Sequence, residues 1–460
     1  MSKKINSILK EVLSRVKPSK EEINEMDLLI NSFIKKIEEK IEKLKINAEI
    51  FVGGSFAKKT VIKKDHYDVD IFLRFTENRK FSVSQPRKPS VFGAQKSNGF
   101  SLTSGTQEVR DKNNEEISEL TKKVLAGVEH VSLVHGSRDY FKIKLREDFF
   151  IELIPVIKIK KPGEALNITD LSYSHVSYIK KRIKPESLLE EVMLAKAFCY
   201  ANHCYGAESY IKGFSGYAIE LLIYYYGSFL KFISAIAKAE KEEKIIIDIE
   251  KDFKNKKQIL MDLNSSKLDS PIILIDPTYK QRNALAALSK ETFEKFRDVC
   301  IAFLKKPSLE FFEEKKTDIE TIKKMAEKKK FEFILLEART DRQEGDIAGS
   351  KLLKFYNHLG GEIRRFFDIK DKGFNYNGKK VARFYFVVKK KEEILITGPK
   401  TNDEENVRAF EKAHKSYYTK KGKVYAKEVV SFSINEFIIK WSKKYRDKIK
   451  GMSVSGLEVI

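Results

Sequence analysis

The chain has 460 residues and sets 89 lysines and arginines against 66 aspartates and glutamates, a formal net charge of +23. With 42% hydrophobic and 11% aromatic residues it can build packed cores, which excludes a wholly disordered chain. Its length fits roughly three domains at about 150 residues each. Three cysteines are too few for a disulfide scaffold, and the surplus of cations points to a polyanionic partner, nucleic acid first.

The opening Met1-Ser2-Lys3-Lys4-Ile5 runs into a charged amphipathic pattern without the apolar core of a secretory signal. Ile5, Ile8, Leu9, Val12, Leu13 and Val16 recur at helical spacing and stop before Pro18. Ser19-Lys20-Glu21-Glu22 reads as a capping box that opens a second helix with Met26, Ile30, Phe33, Ile37 and Ile41 on its apolar face. A strand follows at Ile50 to Val52, ended by Gly53-Gly54, and another at Val69 to Phe75. Residues 79–114, rich in Ser, Gly, Pro, Gln and Lys without periodicity, read as a mobile surface insertion. A helix resumes from Glu115 to Val128, and Tyr140 to Leu145 with Phe149 to Ile157 reads as a hairpin.

From Leu166 to about Pro307 the pattern is mostly helical, with helices at Leu188 to His203 and Gly216 to Ala239. Beyond it come a helix at Ile319 to Lys329, a strand at Phe331 to Glu337 and a helix at Ser350 to Phe367. A strand at Val381 to Val388 and a helix from Asn435 to Ile449 complete the chain. The longest central apolar run, Leu221 to Tyr226, is six residues, far below the ~20 that span a bilayer. The expectation is therefore a cytoplasmic protein with no membrane segment.

The chemistry concentrates in Gly53-Gly54-Ser55-Phe56-Ala57-Lys58-Lys59-Thr60 followed by Asp68-Val69-Asp70-Ile71-Phe72. Two carboxylates at i and i+2 of a strand share one face, where they can hold divalent cations for displacement at phosphorus. A Gly-Gly-Ser turn lets backbone N–H groups and a hydroxyl approach a triphosphate. Glu152, interrupting the apolar run Phe150-Ile151-Glu152-Leu153-Ile154, supplies the third carboxylate. Each element alone is weak; their order and separation make the signal. Gly345 to Lys351 lacks the P-loop spacing, and no H-E-x-x-H occurs.

G-S-x-A-x-x-T followed by D-x-D on a strand resembles the nucleotidyltransferase superfamily of DNA polymerase β. Tyr205-Gly206-Ala207-Glu208, Gly213-Phe214-Ser215-Gly216-Tyr217, Glu220-Leu221-Leu222, Ile275-Asp276-Pro277 and Arg282-Asn283 narrow the resemblance to the archaeal (class I) CCA-adding enzymes, over nearly the whole chain apart from the insertion. The resemblance implies an α+β fold. It comprises a catalytic head at 1–165, a helical neck at 166–305, and a body and tail at 306–460 that grip the acceptor stem and T-arm of tRNA. It implies addition of C, C and A to the tRNA 3′ end from CTP and ATP with Mg²⁺ as cofactor, and family members are often homodimers.

By position it places metal-binding carboxylates at Asp68, Asp70 and Glu152. The triphosphate falls to Gly54, Ser55, Lys58, Lys196 and Tyr205, with Ser172 and His175 at the family's Thr and His positions and Arg282 defining the incoming base. Three departures stand out. The family's arginine is Lys58 here, its Glu-x-Asp is Asp-Val-Asp, and its third aspartate is Glu152. Alternative readings are another terminal RNA nucleotidyltransferase, adding poly(A) or oligo(A), or a tRNA-binding protein whose site has decayed.

Overall fold

The computed structural model describes residues 2–76, 104–136, 138–240, 243–314, 318–414 and 416–460. The chain forms two compact units, Met1–Lys315 and Lys316–Ile460, of the mixed α+β class the sequence leads one to expect.

In the first unit, α1 (Ser2–Val16) is followed by α2 (Lys20–Lys43). The capping box is formed: Glu22 N–H donates to Ser19 Oγ at 3.1 Å and Ser19 N–H to Glu22 Oε2 at 2.6 Å. Strand β1 (Ala48–Val52), the one-turn helix α3 (Gly54–Ala57) and β2 (Tyr67–Phe75) come next. Helix α4 (Ser104–Leu125) precedes β3 (Val131–Val134), β4 (Tyr140–Arg146) and β5 (Phe149–Ile157). The strands form one sheet in the order β1-β2-β5-β4-β3, with β2 and β5 parallel and the other pairs antiparallel.

The period-2 alternation of these strands decides where the chemistry lies. Val69, Ile71 and Leu73 of β2 with Ile151 and Leu153 of β5 pack on Met26, Ile30, Phe33 and Ile37 of α2. The opposite face therefore presents Asp68 and Asp70, Glu152 and Lys142. Most of the expected insertion, residues 79–103, lies outside the described residues; its last part, 104–114, is the start of α4.

The rest of this unit comprises α5 (Ser172–Arg182), α6 (Glu186–Ala201), α7 (Gly216–Tyr226), α8 (Phe229–Ala237), β6 (Ile245–Ile247), α9 (Lys256–Asp262), β7 (Ile272–Asp276), β8 (Tyr279–Asn283) and α10 (Lys290–Lys305). A second core joins Phe198, Phe214, Phe229, Phe232, Phe296 and Phe303, and the apolar face of α1 belongs to it through Ile5, Leu9 and Val12. The single helix expected over Gly216 to Ala239 is two, bent by 94°. Gly227 takes the left-handed conformation at φ 80°, and Ser228 caps α8 by accepting from Lys231 N–H at 3.3 Å. The continuous apolar composition hid that break. Among the described residues no single helix is long and apolar enough to cross a membrane.

The second unit holds α11 (Ile319–Lys328), β9 (Glu332–Arg339), α12 (Asp346–Arg364), β10 (Phe367–Tyr376), β11 (Val381–Lys390), β12 (Glu393–Lys400), α13 (Glu404–Ala413), β13 (Tyr417–Lys420), β14 (Lys423–Val429), α14 (Ile434–Lys444), α15 (Arg446–Gly451) and β15 (Gly456–Val459). Its sheets run β10-β11-β9-β15 and β12-β14-β13. Leu352, Phe355 and Leu359 of α12 and Phe437 and Trp441 of α14 pack on Leu336, Phe384 and Phe386. The helix expected to run on to Ile449 breaks at Tyr445, between α14 and α15.

Candidate active site

Parallel pairing of β2 with β5 sets Asp70 opposite Glu152, and antiparallel pairing of β4 with β5 sets Lys142 opposite the same glutamate. Burial, with the charges of Asp70 and then Asp68, pushes the Glu152 carboxyl up to about 8 against the pull of Lys142. Burial also raises Asp70, which Lys58 opposes and Asp68 reinforces. Lys142 Nζ lies 2.7 Å from Asp68 Oδ1 and 3.9 Å from Glu152 Oε1.

As the side chains stand, no three metal-ligating groups among the described residues gather on one point. The donor set is nonetheless all carboxylate oxygen, suited to a hard divalent ion. Its mutual repulsion is of the kind a cation relieves, and an ammonium already bridges two of its members.

Gly54 packs against this cluster. It has φ +59°, and a Cβ there would lie 1.8 Å from Asp70 Oδ2. Only glycine lets the turn meet the carboxylate so closely. We expect Gly54→Ala to cost about 1–3 kcal/mol in a urea melt through backbone strain, and to displace Asp70 as well. A variant with wild-type stability would contradict this account of the turn. Ser55 sits in the first turn of α3, where its carbonyl accepts from Thr60 N–H at 3.0 Å.

Lys58 and Lys196 converge on Glu220, a fully buried acid on α7: Lys58 Nζ donates to Oε2 at 2.6 Å and Lys196 Nζ to Oε1 at 2.8 Å. Thr60 Oγ1 donates to the same Oε1 at 2.9 Å. Burial lowers Lys196 to about 8 even with Glu220 beside it, because Lys58 adds to the loss. Tyr205 completes this corner. A Cβ on Gly216 would lie 2.9 Å from its hydroxyl and 3.8 Å from Lys196 Nζ, so the glycine opening α7 leaves room for both. Burial raises the Tyr205 phenol, which keeps it a proton donor.

A second carboxylate organises the other predicted residues. Asp276, fully buried at the end of β7, accepts from His175 Nε2 at 3.0 Å, Tyr217 Oη at 3.0 Å, Arg282 at 2.6 Å and Thr278 N–H at 2.9 Å. His175 stacks on Tyr217 with ring centroids 4.1 Å apart. Helix α7 links the two groups: Gly216 faces Tyr205, Tyr217 holds Asp276, and Glu220 one turn later takes the lysines.

The structure thus brings Asp68, Asp70, Glu152 and Gly54 together on one sheet face. It gathers Lys58, Lys196 and Tyr205 round the start of α7, and His175 and Arg282 on Asp276. Ser172 lies at the start of α5, one turn before His175. Arg282 lies on β8. Site residues to which the sequence motifs assign no role are Glu220, Asp276, Tyr217 and Thr60, and Lys142 stands in none of those motifs. The first two carried a signal, since each puts a charge within or at the end of an apolar run, Ile219-Glu220-Leu221 and Ile273-Leu274-Ile275-Asp276.

Residues 34–157 match the family model described as a nucleotidyltransferase domain, and residues 190–313 the one described as tRNA nucleotidyltransferase, second domain. The CCA-adding enzyme of Methanocaldococcus jannaschii is 28% identical over 94% of this chain and 88% of its own length. That of Sulfurisphaera tokodaii is 31% identical over 69% of this chain and 63% of its own. That of Nanoarchaeum equitans is 35% identical over 53% of this chain, so the match spans only about half, 52%, of that relative. Among solved structures, a Cid1 poly(U) polymerase bears a distant likeness, with a TM-score of 0.46 and 14% identity over 68% of this chain and 100% of its own.

Proposed function

We propose that the chain belongs with the archaeal CCA-adding tRNA nucleotidyltransferases and adds C, C and A to the 3′ end of tRNA from CTP and ATP without a nucleic-acid template. The observation that carries this is the acid face of Asp68, Asp70 and Glu152 set against the Gly53-Gly54-Ser55 turn, with buried cations behind it. Asp68, Asp70 and Glu152 would hold divalent ions, Mg²⁺ in this reading, which supply activation of the 3′-hydroxyl and neutralisation of charge on the triphosphate.

The chain's own residues do the positioning. Gly54 and Ser55 offer backbone N–H groups and a hydroxyl to the phosphates, with the Lys58 and Lys196 charges and the Tyr205 hydroxyl beside them. His175 and Arg282, both tied to Asp276, hold the base side of the cleft, with Ser172 one turn away. The acceptor stem and T-arm of tRNA would meet the basic surface, mainly through phosphates and 2′-hydroxyls, so affinity falls with salt. A cytoplasmic homodimer fits the same reading. Labelled CTP should enter tRNA lacking its CCA end only with a divalent ion; incorporation that survives EDTA, or none at all, would contradict it.

The carboxylates also give a pH signature. Glu152 binds its proton more tightly folded than unfolded, so the metal-free protein loses stability as pH rises from about 4.5 towards about 8. A divalent ion removes that repulsion. Mg²⁺ should therefore raise the melting temperature more at pH 8 than at pH 6; an equal rise at both would refute the coupling of these acids.

A further inference from the structure

We propose that Glu220 is a positioning residue that aims Lys58 at the triphosphate, with Lys196 and Thr60 fixing the other oxygen of its carboxylate. An ammonium has three N–H donors. Lys196 has a partner for each: Thr60 carbonyl at 3.3 Å, Thr60 Oγ1 at 2.7 Å and Glu220 Oε1 at 2.8 Å, with its side chain 3% exposed. It ties Glu220 to Thr60.

Lys58 differs. Among the described residues its one hydrogen bond is to the other oxygen of the same carboxylate, which leaves two donors for a ligand, and its side chain is 8% exposed. Its charge is felt by Asp70, which sits against the Gly54 turn. One carboxylate between two ammoniums leaves the corner a net positive charge, held in place. Both Oε2, which receives Lys58, and Oε1, which receives Lys196 and Thr60, are engaged, so the carboxylate cannot rotate freely. A single point charge on a flexible stem depends more on such a fixed acceptor than a planar fork does.

Simple charge counting predicts the opposite of this proposal, since removing an acid beside two cations should tighten triphosphate binding. The proposal rests on the reading of this cleft as a triphosphate site. It can be tested without turnover, by calorimetric titration of CTP and of CMP in Mg²⁺ buffer with no tRNA present. Lys58→Met and Glu220→Gln should each weaken CTP binding about tenfold or more, the worth of a charge-assisted hydrogen bond. CMP, which lacks the outer phosphates, should change by less than about twofold.

The double variant decides the route. Glu220→Gln should add no more than about twofold to Lys58→Met if it works through that lysine. Independent, multiplying losses, equal losses for CTP and CMP, or tighter CTP binding in Glu220→Gln would each overturn the proposal. Should Glu220→Gln fail to fold, Glu220→Asp keeps the charge one methylene short and supports the same cycle: weaker CTP, unchanged CMP, nothing added to Lys58→Met. Wild-type protein that binds CTP through Lys58 and Glu220 yet extends no tRNA would support this positioning role while contradicting CCA addition.

Discussion

Asp70→Asn is expected to cut nucleotide incorporation by at least about 10³-fold, the scale on which removal of preorganised charge acts, with tRNA binding unchanged. Asp70 stands opposite Glu152, two residues from Asp68, and against the Gly54 turn. Asparagine keeps the shape and one carbonyl oxygen there, so packing on Gly54 survives while an anionic donor is lost. The substitution also removes a like charge that raises Glu152. The variant should therefore melt at the same temperature as the wild type or higher, the usual sign of a residue kept for chemistry at the expense of stability. Single-turnover incorporation and filter binding of tRNA, run in parallel, check both halves. Near-normal turnover would defeat the assignment of this acid face to catalysis.

Asp276→Asn should carry a large stability cost, about 3 kcal/mol at pH 7, because it leaves buried donors facing an uncharged partner. Burial opposes the charge on Asp276, yet the His175 hydrogen bond and the Arg282 charge hold its carboxyl well below the usual range, while burial lowers His175 itself and keeps it neutral at pH 7. A depressed folded-state carboxyl contributes stability that is complete above its unfolded value near 3.8 and is lost as pH falls towards the folded one. The difference between wild type and variant in urea melts should thus be full at neutral pH and shrink below about pH 4. Because His175 and Arg282 both depend on this carboxylate, the variant should also misincorporate nucleotides more often. A cost under about 1 kcal/mol, or one unchanged down to pH 3, would contradict the network.

Local rules exposed the sheet that carries the acids well. The capping box at Ser19, the glycine turn and the period-2 strands sufficed to place Asp68, Asp70 and Glu152 on one face, because those signals lie within a few residues of each other. Glu220 and Asp276 needed three dimensions. Their partners are 162 and 160 residues away for Lys58 and Thr60, and 101 for His175, separations no local pattern can report. The strands β6 to β8 escaped the helical reading of that region because each is short. The α7–α8 break escaped because one glycine in an apolar run is ambiguous until its φ is seen. Lys58 and Glu152 were legible as letters, while their consequences, one hydrogen bond to Glu220 and a carboxyl pushed up to about 8, appear only with the neighbours in place.

Purified protein, tRNA lacking its CCA end, Mg²⁺ and labelled CTP or ATP, supplied singly and together, should be resolved at single-nucleotide length. The account predicts two additions with CTP alone and a third only when ATP joins it. A ladder of adenosines, or bound tRNA with no extension at all, would contradict it.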